Sequence, residues 1–323
     1  MGLEIGEDAM KADAKIAELR ATLERDLAPL IDRDYRLLEI PDYANIGDVL
    51  IFQGEQAFLD KVPFRCREMA TMFSFGRRLP EIPESDLLIF SGGGYFGDLW
   101  PVGPAFQAKV LERYPRNPML ILPQSVCFRS QEALDSAVKR YGAHSNLTIC
   151  LRDRPSYEFV RRHFRNKARL LPDMAFYADV GAWRSQKGPG AGTLLIRRGD
   201  LELKPSARLE TLAAQPDVDV RDWPTIAAND RIEHWMQAMR RHPRRSNLVY
   251  DLFVRTIYRR HQLRLGVRFL EPYAHVCSTR LHGGVMALLM GKKVTFFDNS
   301  YGKIRGLAET WLGDCDDVEM AEA

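Results

Sequence analysis

Short apolar segments, each followed by a polar or glycine-containing turn and then by a helical pattern, recur along the sequence. In the first half they lie at residues 35–40, 86–90, 119–122 and 147–151. Short strands that alternate with helical segments predict a doubly wound α/β domain with a parallel sheet. In such sheets a ligand binds at the carboxyl ends of the strands, which is where these turns lie.

A second series of strands begins after residues 185–192, whose Gly, Pro and Ser content is typical of a linker. Its strands are predicted at residues 193–196, 274–277 and 293–297, and the polar stretch 204–215 is predicted to be a loop. The sequence therefore predicts an α/β fold of two doubly wound, Rossmann-like domains that face a central cleft.

The expected domain boundaries follow from these patterns. Residues 1–32 contain charges and leucines at helical spacing, which predicts an amphipathic helix packed on the first domain. Residues 33–184 form the predicted N-terminal α/β domain and residues 185–323 the C-terminal one. The last helix is a candidate for packing back across the cleft.

Composition restricts the classes of function. The net charge of +3 is too small to indicate nucleic acid as a partner. No apolar run approaches the roughly 20 residues of a membrane span. The five cysteines are scattered without a Cys-x-x-Cys pair, which is typical of reduced core residues in a cytoplasmic protein. The histidines lack metal-ligand spacing, so no metal site is expected.

One stretch near the carboxyl end combines several ligand-binding features. Residues 278–284 place Arg280, His282 and Gly283 between a predicted strand and a predicted helix. A helix N-terminus favours anions, and the glycines allow a ligand to approach the backbone closely. A phosphate or carboxylate pocket is one interpretation, and an ordinary buried turn is the other.

Five motifs, taken in order, resemble the polysaccharide pyruvyl transferase family. They are residues 45–48 (Asn-Ile-Gly-Asp), 91–94 (Ser-Gly-Gly-Gly), 151–156 (Leu-Arg-Asp-Arg-Pro-Ser), 197–200 (Arg-Arg-Gly-Asp) and 278–284, followed by Lys303. The resemblance extends from about residue 36 to 312. It implies a fold like that of GT-B glycosyltransferases, with an acceptor-binding first domain and a donor-binding second domain.

The resemblance also implies a reaction. Pyruvate is transferred from phosphoenolpyruvate (PEP), a co-substrate rather than a cofactor, onto two hydroxyls of a hexose, which yields a cyclic ketal and phosphate. The acceptor in the family is usually a polysaccharide repeat unit on a lipid carrier. A cytoplasmic enzyme is expected, either free or associated peripherally with the inner membrane.

The chemistry of PEP matches particular residues. Its carboxylate and phosphate require fixed cations, and its methylene carbon requires an acid. The expected assignments are Arg152, Arg280, Gly283, Lys303 and Arg197 for PEP binding, His282 as acid, Asp48 as base on an acceptor hydroxyl, and Asn45, Gly93 and Gly94 on the acceptor or cleft side. Imidazole suits the acid role because it titrates near neutral pH.

Each assignment has an alternative. Asp48 can be a helix N-cap, Arg152 can form a local ion pair with Asp153, and Arg197 can be a solvated charge at a strand end. A GT-B glycosyltransferase with a nucleotide-sugar donor would use a similar cleft. A non-catalytic protein that binds a phosphorylated metabolite is the third interpretation. The basic cluster 240–245 is either a solvated face or a site for a lipid-linked diphosphate or an anionic leaflet.

Overall fold

The computed structural model describes residues 10–184, 190–223, 231–241 and 247–322. Its first sheet has seven strands, all paired in parallel: β1 (Tyr35–Leu38), β2 (Cys66–Ala70), β3 (Leu87–Phe90), β4 (Gly93–Gly97), β5 (Met119–Cys127), β6 (Leu147–Leu151) and β7 (Lys167–Leu170). The spatial order is β2-β1-β3-β5-β6-β7, and β4 pairs with β5. The helices of this unit are α2 (Ile46–Leu59), α3 (Met72–Arg78), α4 (Val102–Arg113), α5 (Gln131–Gly142) and α6 (Arg154–His163).

The second sheet has five parallel strands in the order β12-β11-β10-β8-β9. These are β8 (Thr193–Ile196), β9 (Val218–Arg221), β10 (His275–Ser278), β11 (Lys293–Phe296) and β12 (Val318–Met320). Its helices are α7 (Ala207–Ala213), α8 (Arg231–Arg241), α9 (Asn247–Phe253), α10 (Arg259–Leu270), α11 (Leu281–Leu289) and α12 (Lys303–Trp311). A π-helical turn, Val254–Tyr258, joins α9 to α10. Two parallel α/β sheets confirm the predicted fold class.

The central strands of the first sheet are mostly apolar because both faces of the sheet are covered. All four residues of β3 are buried, and β3 pairs in parallel with β1 on one side and β5 on the other. A parallel strand in this position buries both faces, so it reads as a continuous apolar run. This is why the sequence predicted β1, β3 and β6 directly.

The N-terminal helix α1 (Ala12–Asp26) contacts both halves of the chain. The guanidinium of Arg20 donates to the carbonyls of Phe176 and Ala178, at 2.9 and 2.8 Å. On its other side, Lys15 forms an ion pair of 2.6 Å with Asp314 near the end of the chain. The prediction placed this helix on the first domain alone. Residues 1–9 of the predicted segment 1–32 lie outside the described part.

Segments of the second half also pack on the first. Trp311 of α12 donates from its indole nitrogen to the carbonyl of Arg152, at 2.8 Å. Asp251 of α9 accepts from the backbone of Thr71 and the hydroxyl of Ser74, at 3.1 and 2.7 Å, and both of these residues are buried at the start of α3. Side chains of the second half therefore contact the first unit at several places.

The stretch 204–215 was predicted to be a loop, and that prediction is wrong. It contains α7, whose N-cap is Ser206, with its hydroxyl accepting from the backbone of Leu209 at 3.2 Å. Leu209 is fully buried and ties the helix to the second sheet. A serine cap and a single buried leucine stabilise this helix in spite of its polar surroundings.

Candidate active site

A cleft of about 970 Å³ opens where the two units meet. Its wall is formed by the starts of three helices, α2, α11 and α12, by α3 and α4, and by the residues that follow β4, β6 and β8. Most of these are strand ends or helix N-termini, which carry unpaired backbone N–H groups. Eight of the predicted residues line the cleft: Asn45, Asp48, Gly94, Arg152, Arg280, His282, Gly283 and Lys303.

Asp48 lies in the first turn of α2 but is not its N-cap. Asn45 is the cap, and its side chain accepts from the backbone of Gly47 at 3.0 Å. One carboxylate oxygen of Asp48, Oδ2, accepts from Tyr43 Oη at 2.9 Å and from Asn45 Nδ2 at 2.7 Å. Burial raises the pKa of Asp48, and the opposite charge of His282 acts against that rise. A buried carboxylate with a raised pKa is suited to accept a proton.

His282 and Arg152 meet at a carboxylate that the sequence analysis missed. Asp173 Oδ2 lies 3.2 Å from His282 Nε2 and 2.7 Å from Arg152 Nη1. Burial opposes its ionisation, but the charges of His282 and Arg152 hold the pKa of Asp173 below its ordinary value. Asp173 follows β7 at the carboxyl edge of the first sheet, and that position was the one available signal.

Lys303 is anchored by a second carboxylate that the sequence analysis missed. Glu202 accepts from Lys303 Nζ and from Arg198 Nη1, each at 2.6 Å. Burial lowers the pKa of Lys303 to about 8, against the opposing charge of Glu202. Because Glu202 and Lys303 lie a hundred residues apart in the chain, no local motif connects them.

The structure does not bring Arg197 into the cleft. Its guanidinium pairs instead with Glu210 on α7, at 2.7 Å, whereas its neighbour Arg198 lines the cleft. Successive side chains of an extended chain point to opposite sides, so only one of the two arginines after β8 can face the cleft. Arg198 is the residue that belongs in the expected set.

The guanidinium of Arg280 is already engaged within the protein. Its Nε and Nη2 atoms donate to the two carboxylate oxygens of Asp222, at 2.6 and 2.9 Å. Asp200 lies 3.4 Å away from Nη2. Arg280 therefore contributes its charge to the cleft, while the bidentate edge expected for PEP is occupied by a carboxylate.

The three glycines occupy different places. Gly283 lines the cleft and packs so closely that a Cβ there would lie 2.8 Å from Ile196 Cδ1. Gly93 has a φ of +152° and faces the ring of Tyr95, rather than the cleft. A Cβ on Gly94 would lie 3.0 Å from Arg152 Nη2, 3.7 Å from Lys303 Nζ and 3.8 Å from Tyr301 Oη.

The space beside Gly94 has unsatisfied polar atoms around it. Arg152 Nη2 and Tyr301 Oη are buried and have no hydrogen-bond partner among the residues that the structure describes. Buried polar groups are normally paired, so each orphaned atom calls for an explanation. Two hydrogen-bond donors and an ammonium group surround the space that glycine leaves at position 94, and together they form a site for an anionic oxygen.

Neither a metal site nor a membrane span is found in the described ranges. No group of three or more His, Cys, Asp or Glu side chains there could hold a metal ion. None of the described helices is long and apolar enough to cross a bilayer.

Comparisons with known proteins agree with the motif order. The family model described as polysaccharide pyruvyl transferase matches residues 45–301. EpsO of Bacillus subtilis, whose name describes it as a candidate pyruvyl transferase, is 30% identical over 303 residues, covering 90% of this chain and 91% of its own. Pyruvyl transferase 1 of Schizosaccharomyces pombe is 28% identical, covering 86% and 70%.

A solved structure of an uncharacterized Klebsiella pneumoniae protein has the same fold. It superposes with a TM-score of 0.65 at 18% identity, over 94% of this chain and 99% of that one. A family match over most of the chain and a relative at 30% identity agree on one assignment. The chain belongs to the polysaccharide pyruvyl transferase family.

Proposed function

We propose that this protein transfers pyruvate from PEP onto two hydroxyls of a hexose in an exopolysaccharide or cell-wall glycan precursor. The product is a cyclic pyruvate ketal, and phosphate is released. The observation that carries the proposal is the space beside Gly94, where Arg152 Nη2, Lys303 Nζ and Tyr301 Oη converge. Arg152 Nη2 and Tyr301 Oη have no hydrogen-bond partner among the described residues. PEP acts as co-substrate, and no further cofactor is proposed.

The donor site follows from the charges around Gly94. One anionic group of PEP accepts from Arg152 Nη2 and Tyr301 Oη and lies beside the Lys303 ammonium. Arg198 and Arg280 also line the cleft, and carboxylates restrain both of them: Asp200 and Glu202 for Arg198, Asp222 and Asp200 for Arg280. Restrained cations lose little conformational entropy when the ligand binds.

The reaction requires one proton to be donated to PEP and one proton to be removed from each of the two sugar hydroxyls. His282 donates a proton to the methylene carbon of PEP, which becomes a methyl group and leaves the adjacent carbon electron-deficient. The first sugar hydroxyl adds to that carbon and loses its proton. The C–O bond to phosphate then breaks, the second hydroxyl adds in its place, and its proton leaves with the phosphate or to solvent. Lys303 and the arginines stabilise the departing phosphate.

Asp48 is assigned as the base for the attacking hydroxyl. Both side-chain hydrogen bonds that it accepts, from Tyr43 and Asn45, go to Oδ2. Its Oδ1 atom is therefore available to a sugar hydroxyl on the acceptor side. Gly47 permits the approach of the acid, because a Cβ there would lie 2.9 Å from His282 Nδ1. The proposed acid therefore packs directly beside the turn that carries the proposed base.

The cleft also has aromatic walls that fit a sugar. Tyr43, Phe73 and Trp100 line it, and aromatic faces are suitable surfaces for the apolar side of a hexose ring. The cleft volume of about 970 Å³ is near the upper end for small-molecule sites, so it can hold donor and sugar together.

Donor choice separates this proposal from its alternatives. We expect PEP to raise the thermal midpoint of the protein, whereas a panel of nucleotide sugars does not. Stabilisation by a nucleotide sugar alone would support a GT-B glycosyltransferase and contradict the proposal. Binding of PEP without phosphate release, over a broad panel of glycan acceptors, would instead favour the non-catalytic interpretation.

Catalysis is tested by the loss of phosphate release in the presence of PEP and acceptor. We expect His282→Ala and Asp48→Ala to reduce turnover by about 10²-fold or more, as for other positioned acids and bases. Arg197→Gln is the matched control, because it removes a charge beside the cleft without touching it. Near-normal turnover in both alanine variants would refute the two roles.

A further inference from the structure

The outer surface of residues 247–270 exposes several large aliphatic side chains. Leu248, Val249, Leu252 and Ile257 are 75%, 58%, 48% and 48% exposed. We call these four the apolar patch. A π-helical turn contains about one residue more than an α-helical turn. Ile257, five positions after Leu252, therefore lies on the same side of the helix as Leu252. A cluster of exposed aliphatic residues is typical of an interaction site, whereas single exposed ones are common on any protein surface.

A row of arginines continues from the apolar patch. Arg260, Arg264 and Arg268 follow one another at intervals of four along α10, so they share one helix face, and all three are exposed. None of them pairs with a carboxylate in the described part of the chain. The sole acidic residue of 247–270, Asp251, is buried against Thr71 and Ser74. The surface is therefore locally cationic, although the chain carries only +3 overall.

A recess of about 330 Å³ lies beside the apolar patch. Leu248, Leu252 and Arg255 line one wall, and Arg67 and Arg78 from the region of β2 and α3 line another. Glu68 and Asp251 also reach it. Arg67 pairs with Asp34 and Asp86, and Arg78 pairs with Glu68, so these two guanidinium groups are already engaged within the protein. Arg255 and the aliphatic side chains are the part of the recess that continues the cationic and apolar surface.

We propose that this face binds the surface of an anionic phospholipid bilayer. The apolar patch enters the boundary between headgroups and acyl chains, while the arginine row and Arg255 contact lipid phosphates. Exposed aliphatic residues beside unpaired arginines are the combination by which proteins lie on such membranes. A symmetric dimer through the same face would bring the two arginine rows together, and like charges would oppose it.

The proposed orientation has a bearing on the cleft. Helix α9 packs on α3 and α8, and both of those helices contribute to the cleft wall, through Phe73 and Arg240. Docking at α9 therefore turns the acceptor side of the cleft toward the bilayer. The inference does not depend on the proposed reaction, because it concerns a surface outside the cleft.

The experiment is co-sedimentation of the full chain with vesicles. We expect binding to phosphatidylcholine vesicles that contain about 30% phosphatidylglycerol and none to pure phosphatidylcholine, because the attraction is to anionic lipid. The triple variant Arg260→Gln, Arg264→Gln, Arg268→Gln should bind about a hundredfold more weakly, since each arginine near such a surface contributes about fivefold. Leu248→Ser with Leu252→Ser should bind more weakly than the wild type, and its remaining binding should keep the salt dependence of the electrostatic attraction.

A matched control removes the same charge elsewhere. Lys139→Gln, Arg140→Gln and Arg162→Gln alter exposed cations of α5 and α6, and this variant should bind like the wild type. Equal loss in the control, or a wild-type protein that stays in the supernatant, would overturn the proposal. So would a shift from dimer to monomer in the leucine variant without vesicles, which would identify the patch as a self-association face. Thermal midpoints verify that each variant is folded, and Leu252→Ser alone serves if the double variant is not.

Discussion

Arg152 is held within the protein on several sides and still has one edge of its guanidinium unpaired. Nε donates to Ser125 at 2.8 Å, Nη1 donates to Asp173 at 2.7 Å, and the backbone carbonyl accepts from Trp311. The buried Nη2 has no partner among the described residues. An unmade buried hydrogen bond costs about 1–3 kcal/mol, and an anion beside Gly94 would recover it. This is preorganisation at the scale of a single atom.

Gly94→Ala should therefore weaken PEP binding selectively. The new methyl group would lie 3.0 Å from Arg152 Nη2 and would occupy the space proposed for the ligand. We expect the KM for PEP to rise about tenfold or more, with little change in thermal midpoint, because a misplaced donor loses about the free energy of a charged hydrogen bond. Gly142→Ala, where a Cβ meets nothing within 4 Å, is the control. An unchanged KM would exclude the site beside Gly94.

Asp173→Asn should lower turnover more than it lowers stability. The backbone N–H of Ala175 donates to Asp173 Oδ1 at 2.7 Å, and the amide oxygen of asparagine can still accept this hydrogen bond. The substitution removes the negative charge between His282 and Arg152. We expect kcat to fall about 10²-fold, because the acid loses its positioning partner. Asp179→Asn, at a nearby exposed turn, controls for the substitution itself. Retained kcat would show that Asp173 is only a structural acceptor.

The sequence predicted the cations of the cleft better than the carboxylates that hold them. Arg152, His282 and Lys303 stand in recognisable motifs at strand or helix ends. Their partners Asp173 and Glu202 come from segments without a motif, since the pairing arises only from tertiary packing. The choice between neighbouring residues 197 and 198 also depends on how β8 is oriented in the sheet, which a sequence of one chain does not specify.

Among the elements, α2 connects the site to the core. Its first turn presents Asp48 to the cleft, and ten of its residues are buried, including Ile51 and Phe52. Midway along it, Gly54 lies against the turn Met174–Tyr177 that follows Asp173. A close contact at this glycine thus sets the spacing between the helix that carries Asp48 and the turn that follows Asp173.

Gly54→Ala should be strongly destabilising. A Cβ on Gly54 would lie 1.7 Å from the backbone carbonyl oxygen of Met174, and a backbone atom cannot move aside as a side chain can. Overpacking of this kind costs about 1–3 kcal/mol or more, so we expect a lower thermal midpoint or an insoluble protein. The same substitution at Gly142, in open space, should change the free energy of unfolding by no more than about 0.5 kcal/mol, with a correspondingly small shift of the thermal midpoint. A wild-type midpoint for Gly54→Ala would contradict this packing.

Strands with continuous apolar runs were predictable, and elements with mixed composition were not. β3 is buried and apolar throughout, and β8 is so after its first residue, so their composition alone indicates them. β4 has the sequence Gly-Gly-Tyr-Phe-Gly, which resembles a turn and forms a strand because β5 continues past Pro123 and pairs with it. Here the neighbouring strand decides the structure, and local propensity does not.

Across the whole molecule, buried acids make stability depend on pH. Glu39, in a left-handed conformation with φ of 69°, accepts from Tyr95 at 2.8 Å and from Gln107 at 3.0 Å. Burial raises the pKa of Glu39 to about 8. The folded state therefore keeps a proton that the unfolded state, with an ordinary carboxyl, releases above about pH 4.5. The contribution of Glu39 to stability consequently falls as pH rises from about 4.5 to 8.

Glu39→Gln should remove that dependence. The amide oxygen can still accept from Tyr95 and Gln107, and it carries no proton to lose. We expect the difference in unfolding free energy, variant minus wild type, to increase between pH 5 and 8 by up to about 1.4 kcal/mol per pH unit. Denaturant unfolding at several pH values measures it. A difference that stays constant with pH would mean that Glu39 is ionised in the folded protein throughout this range.

The two units are interlocked rather than merely adjacent. Helix α12 of the second unit holds the carbonyl of Arg152 in the first, and α1 spans from the turn after Asp173 to Asp314. For recombination between relatives, this means that a crossover at the linker would separate Arg152 from Trp311 and Lys15 from Asp314. Chimeras that exchange halves would inherit mismatched interfaces beside Arg152 in the cleft. Exchangeable pieces of this enzyme would have to carry α1 and α12 together with the first sheet, so its acceptor preference cannot be transplanted as a simple N-terminal module.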